Sequence, residues 1–276
     1  VTGRAPSPAP GPPERVLRRD VDPEVSSRAS RRWWDAQAGS YLAEHAAVLG
    51  TATLVWGPEG WREDQLRLLG DLTGRDVLEL GCGAAQGARW CAAQGARVVA
   101  LDLSRQMLAH GRAMDQAGRR APVAYLQANA RSLPLAGGSV DVVFSAYGAL
   151  PFVADSVGVL REAARVLRAG GRLVFSVSHP FRWTLPDVPG EAGLTVTQSY
   201  FDRRPYVEED ATGQVVYSEH HRTLGDRVRE LRAAGLVLED LVEPEWPEGA
   251  THTWGGWSPV RGRLLPGTAI FCARRP

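Results

Sequence analysis

The chain reads as an α/β protein built on a doubly wound, mostly parallel sheet. Three observations predict it. An apolar run, Val77-Leu-Glu-Leu80, passes through the turn Gly81-Cys-Gly83 into a helical stretch. A second apolar run, Val98-Val-Ala-Leu101, ends on a lone acid, Asp102, 21 residues after Gly81. Strand-like and helix-like segments then alternate as far as residue 178, a pattern that gives a parallel sheet with right-handed crossovers. A nucleoside-bearing cofactor would sit at the carboxyl edge of such a sheet.

The elements follow in order. Pro6, Pro8, Pro10, Pro12 and Pro13 among small residues predict a disordered tail over 1–25. A helical cap is expected over 26–70, because Trp33, Trp34, Gln37, Tyr41 and Leu42 recur near helical spacing. Gly57-Pro58 breaks it before a second helix from Gly60 to Gly70. The main domain spans 71–276. Its strands are expected near 76–81, 97–102, 122–127, 140–146 and 171–178, and its helices near 85–95, 104–118 and 155–169. Ser104 is placed to cap the second of these helices. A helix near 223–234 and strands near 236–243 and 266–273 complete a seven-stranded sheet with an antiparallel final strand.

Two connections exceed the usual short loop. In the first, 179–222, the segments 193–201 and 214–220 alternate around the charged, turn-rich stretch 202–213. That pattern predicts a β-hairpin inserted after the fifth strand and laid over the mouth of the site. The second, 244–266, carries Trp246, Trp254, Gly255, Gly256 and Trp257. With Trp183, these tryptophans are candidates for a flat aromatic pocket, or for packing beneath a long loop.

Composition excludes several functions. The net charge of +1 gives no electrostatic case for nucleic acid. No apolar run reaches the length of a membrane span, and no secretory signal is visible, so a cytoplasmic location is expected. Cys82, Cys91 and Cys272 are odd in number and widely spaced, which suggests a reducing compartment and no metal site. All 32 basic residues are arginine, so lysine-based chemistry is excluded.

The glycine turn narrows the cofactor. Gly81 and Gly83 permit positive φ and a close ligand, and the following helix start favours an anionic group. Asp102 can accept hydrogen bonds from ribose hydroxyls. The nicotinamide fingerprint needs a third glycine at position 86, where this chain has Gln86; its glycine falls at Gly87. Glu79 stands two residues before the turn. A pyrophosphate would gain nothing from that carboxylate, whereas a cationic amine would. The plainer reading is a bare strand–turn–helix unit with incidental glycines.

The pattern Glu79-x-Gly81-x-Gly83 resembles the first motif of class I S-adenosylmethionine-dependent methyltransferases, of the small-molecule, methyltransferase domain 11/25 kind. The resemblance continues through Leu126–Pro134, Ser139–Ser145 and Glu162–Ser176. It implies a Rossmann-like fold, S-adenosyl-L-methionine as cofactor, and in-line methyl transfer to a small-molecule acceptor. It further implies that Glu79 holds the methionine ammonium and Asp102 the ribose. Asn129 stands where the family usually has Asp and faces the adenine amino group, while Trp34 and Tyr41 contact the methionine end. Gly81, Cys82, Gly83, Leu103, Met107, Ala130, Ser145 and Ala146 complete the expected cofactor site. The Asn/Asp-Pro-Pro-Tyr segment of nucleic-acid and glutamine N-methylating members is absent; that position reads Ser145-Ala-Tyr-Gly148.

Of the six histidines, His179 follows the fifth strand and His221 begins the segment His221-Arg222 before a helix. Both are expected to line the pocket, with a general base among them. Two alternatives stay open on sequence: a nicotinamide-dependent oxidoreductase, and a non-catalytic S-adenosylmethionine-binding protein.

Overall fold

The structure, a computed structural model, describes residues 13–118 and 123–276. In chain order its strands are β1 (Arg15–Arg18), β2 (Asp76–Leu80), β3 (Arg97–Asp102), β4 (Ala124–Gln127), β5 (Val140–Ala146), β6 (Leu167–Ser178), β7 (Tyr206–Glu209), β8 (Val215–Glu219), β9 (Val237–Val242) and β10 (Thr268–Arg274). The helices are α1 (Pro23–Glu44), α2 (Ala46–Leu49), α3 (Glu63–Leu66), α4 (Gln86–Ala93), α5 (Arg105–Gly118), α6 (Ser156–Val166), α7 (Leu224–Ala233) and α8 (Pro259–Gly262).

The main sheet runs β4-β3-β2-β5-β6-β10-β9. Pairing is parallel from β4 through β6, and β10 is antiparallel to both β6 and β9. The apolar strands are buried on both faces, as a doubly wound sheet requires. One face packs Leu78, Val143, Phe175 and Phe271 against Leu160 of α6 and Leu231 of α7. The other packs Val77, Phe144, Val174 and Ile270 against Ala88 of α4 and Leu108 of α5. The order reverses between β2 and β5, so a crevice opens at the carboxyl ends of the central strands.

Three expectations are corrected. First, the tail expected over 1–25 gives way to structure at Arg15, and α1 starts at Pro23, ahead of the cap expected from residue 26; residues 1–12 of that tail lie outside the described residues. Asp22 caps α1 by accepting from Glu24 N and Val25 N, with proline at the first helical position. Second, the helix expected over Gly60–Gly70 shrinks to the single turn α3, because the carboxylate of Glu63 accepts from Leu69 N and from Trp56 Nε1 and turns the chain away.

Third, the inserted hairpin pairs β8, which falls within the expected 214–220, with β7 rather than with 193–201. Its turn is closed by Asp210, whose Oδ1 accepts from Thr212 N and Gln214 N, with Gly213 at φ +78°. Strand β1 adds to β7, making a separate sheet β1-β7-β8. Val207 and Val215 of this sheet pack on Ala29 and Val25 of α1. The insertion thus backs α1.

Candidate active site

One large cavity lies over the carboxyl ends of β2, β3 and β5, about 1320 Å³ counting the space open at its mouth. Its floor is the turn after β2. Gly81 and Gly83 both have left-handed backbones, at φ +65° and +54°. A Cβ at Gly81 would come 2.5 Å from Ala149 N, so only glycine lets the β2 and β5 turns interlock. A Cβ at Gly83 would meet nothing nearer than Met107 Sδ at 4.0 Å, which leaves a cradle for a ligand against the backbone.

Two acids flank this cradle. Glu79 Oε2 accepts from Ala88 N (2.8 Å) at the start of α4, and its Oε1 has no hydrogen bond among the described residues. Burial raises the Glu79 pKa to about 8, against the pull of the Ala88 amide. Gly87 makes room for this carboxylate, since a Cβ there would lie 2.6 Å from Glu79 Oε1. The glycine that fell one place late for a pyrophosphate turn therefore has a structural reason. Asp102 Oδ2 accepts from Gly83 N and Oδ1 from Ser104 N, both at 2.8 Å. Burial raises its pKa to about 6, against those two amides.

Helix α1 forms the roof. Trp34 and Tyr41 line the cavity, joined by Ser26, Ser27 and Ser30. Asp35 ties the roof to the core by accepting from Ser104 Oγ (2.7 Å) and Gln106 N (3.1 Å) at the start of α5. Asn129 donates through Nδ2 to Ser27 Oγ (3.2 Å), and its Oδ1 accepts from Arg131 N (3.0 Å). At the far end Tyr41 stacks on His45, which in turn meets Trp254 at a tilt of 46°, with 4.4 Å between successive ring centroids.

The cavity gathers Trp34, Tyr41, Glu79, Gly81, Cys82, Gly83, Asp102, Leu103, Met107, Asn129, Ala130 and Ala146. Ser145 lies beneath the lining; it is fully buried, donating to Leu80 O and accepting from Ala149 N. Neither expected catalytic histidine reaches the cavity, which corrects their placement. His179 Nε2 pairs with Glu243 Oε1 at 2.7 Å, while its Nδ1 accepts from Phe181 N. His221 is completely buried, with Nε2 against Tyr200 O at 2.8 Å. Each is used to shape a loop.

The aromatic pocket is corrected too. Trp254 lines the cavity, but Trp183 packs against Tyr206 and His221, Trp246 stacks on His252, and Trp257 lies under Arg261. Sequence reasoning missed the three serines of α1. The signal was there in Asp22-Pro23-Glu24, an N-cap, a first-turn proline and a first-turn acid. It also missed Tyr147, at φ +58° on the cavity wall, and His220. His220 Nε2 lies 2.9 Å from Ser26 Oγ, and burial beside Arg222 and Arg227 lowers its pKa to about 4.

The strand order, the left-handed glycine turn and the two flanking acids are similar to those of class I S-adenosylmethionine-dependent methyltransferases. Residues 78–175 match the family described as "Methyltransferase domain". A demethylmenaquinone methyltransferase of Lactococcus lactis is 38% identical over 133 residues, covering 46% of this chain and 50% of that protein. This chain thus matches about half the length of that relative. Among solved structures, an S-adenosylmethionine-dependent methyltransferase from Mesorhizobium loti is 28% identical with a TM-score of 0.57, covering 77% of this chain and 96% of that one. A Listeria monocytogenes protein of similar description shares the fold at 24% identity and a TM-score of 0.62, covering 78% and 97%. Among the described residues, no helix is long and apolar enough to cross a membrane.

Proposed function

We propose that this chain binds S-adenosylmethionine in the cavity and catalyses methyl transfer to a small-molecule acceptor. The observation that carries the reading is the pair of acids, Glu79 and Asp102, on either side of an open left-handed glycine turn. Glu79 presents its free Oε1 to the methionine ammonium. Asp102, with lone pairs left over from its two amides, takes the ribose hydroxyls. Leu103, Met107 and Ala130 enclose the adenine, with Asn129 at its amino group. Trp34 and Tyr41 close over the methionine end. The demethylmenaquinone methyltransferase relative supports a small-molecule acceptor.

When bound, the cofactor supplies an activated methyl on a sulfonium, and the chain's own residues supply alignment. Among the described residues, no histidine belongs to the cavity lining. Burial raises the pKa values of Tyr41, Tyr147 and Cys82, so none of them is a base near neutral pH. The protein therefore acts by orienting an acceptor whose nucleophile is already available. Orientation of this kind supplies roughly 7–11 kcal/mol of barrier lowering. A nicotinamide reading is disfavoured because the space at Gly87 is taken by Glu79.

Calorimetric titration with S-adenosylmethionine, S-adenosylhomocysteine, NADH and NADPH tests the reading. Micromolar binding of the first two alone is expected; binding of a nicotinamide cofactor alone would overturn it. Transfer of labelled methyl into a low-molecular-weight fraction of cell extract then tests turnover.

A further inference from the structure

We infer that Gln86, together with the open N-terminus of α4, binds the carboxylate of the cofactor's methionine end and makes the site selective for a cofactor that carries it. The inference rests on the S-adenosylmethionine reading above. It assigns the one anionic group of the cofactor, which Glu79 and Asp102 leave without a partner.

Neither acid can hold an anion. The charged side chains of the cavity lining are Glu79, Asp102 and Arg131. Arg131 pairs with Glu24 and follows β4, two strands away from Glu79 in β2. A carboxylate on the same carbon as the ammonium must therefore find neutral donors close to Glu79.

Such donors stand at the start of α4. Left-handed residues alternate through the turn that leads into it, at Gly81, Gly83 and Ala85, with φ of +65°, +54° and +61°. Alternation of this kind turns successive N–H groups to one side and makes an anion-binding concavity. Ala85 is the N-cap and has no side-chain oxygen, so α4 begins uncapped. Glu79 Oε2 accepts from Ala88 N, while the N–H groups of Gln86 and Gly87 have no acceptor among the described residues. Both residues belong to the cavity lining. The partial positive charge of the helix start favours an anion there.

The Gln86 side chain is an independent sign of a ligand. Gln86 is only 8% exposed and belongs to the lining, yet its amide makes no hydrogen bond among the described residues. Burying an amide without a partner is costly. Other polar side chains of the lining show the contrast. Ser26 is held by Ser218 and His220, and Asn129 by Ser27 and Arg131 N. Gly87, the next residue, packs against Glu79: a Cβ there would lie 2.6 Å from Oε1, the carboxylate oxygen left free. The free amide and the two free N–H groups thus come from two consecutive residues, the second packed against the acid that takes the ammonium. One amino-acid head group can meet both. Being neutral, the amide holds the carboxylate without drawing on the charge of Glu79.

The test is calorimetric titration of the full chain with two ligands, S-adenosylhomocysteine and its decarboxylated analogue, in which hydrogen replaces the carboxylate and the ammonium is kept. Wild-type protein is expected to bind S-adenosylhomocysteine at least tenfold more tightly than the analogue. Gln86→Ala should weaken S-adenosylhomocysteine about tenfold, the scale of a hydrogen bond to a charged group, and leave the analogue within twofold. Gln86→Met keeps the length of the side chain and removes the amide. It should behave the same way, and it serves if the Ala variant does not fold. Equal binding of the two ligands by the wild type, an equal loss of both in the variants, or no loss in either variant would overturn the assignment. Wild-type protein that binds neither ligand would instead overturn the S-adenosylmethionine reading, and the assignment with it.

Discussion

Glu79 and Asp102 are carboxylates that do two tasks each. Asp102 braces the glycine turn through Gly83 N, Glu79 braces the first turn of α4 through Ala88 N, and both line the space a cationic, ribose-bearing ligand would occupy. Asp102→Ala is expected to weaken S-adenosylhomocysteine binding by about 1.5–3 kcal/mol, the scale of hydrogen bonds to a charged group, measured by calorimetry. Affinity equal to wild type would remove Asp102 from the ribose. Glu79 makes a pH prediction. With its pKa raised from 4.5 to about 8, the folded protein holds a proton there that the unfolded chain releases. Stability from this group therefore falls as pH rises from about 4.5 to about 8. An ammonium placed on Oε1 favours the ionised form, so binding at pH 7 should release protons. Titrations in phosphate and in Tris buffer would show a difference in apparent enthalpy, and Glu79→Gln should remove it. At this scale the sequence carried the two acids clearly, because their spacing to Gly81 is local. It misread His179 and His221, because adjacency to a strand end does not say which way a side chain turns. In both cases a carboxylate or a carbonyl from elsewhere in the chain claimed the ring. His221→Ala should accordingly lower the thermal midpoint while leaving cofactor affinity intact; a loss of turnover at unchanged stability would return it to the chemistry.

Among the elements, α1 matters most to the site because it is both roof and strut. Its inner face lines the cavity, and its Asp35 caps α5 across the chain. Asp35→Ala should cost about 0.5–2 kcal/mol in urea unfolding, the worth of a helix cap, and should also weaken cofactor binding by letting the roof lift. Unchanged cofactor affinity in a destabilised variant would reduce Asp35 to a cap alone. The central strands and their helices were legible because burial on both faces leaves continuous apolar runs. The inserted hairpin was legible as a kind of element but not in register. Residues 193–201 alternate, yet they have no partner strand and form a short 3-10 turn and loop. The true strand, Tyr206–Glu209, hides in a charged stretch because Glu208 and Glu209 are satisfied by Tyr206 and Arg19.

For the whole molecule, the segment before α1 is joined to the insertion by β1 pairing with β7, reinforced by Arg19–Glu209 at 2.7 Å. That sheet presses on α1, so the N-terminal strand stabilises the roof of the site from behind. Removing residues 1–21 should speed amide exchange in β7 and along α1 while leaving β2, β5 and β6 protected. Uniform exchange across the molecule would refute this division of labour. The sequence by itself determined the sheet, its order of strands and helices, the glycine turn and its two acids, because each is written in periodicity or short spacing. Only the tertiary structure decided that β1 joins the insertion, that Gly87 houses Glu79, that His179 and His221 lie outside the cavity lining and that Tyr147, with its left-handed backbone, belongs to that lining. Those outcomes depend on contacts between residues far apart in the chain, where local pattern carries no information about which partner arrives first at a donor, an acceptor or a space.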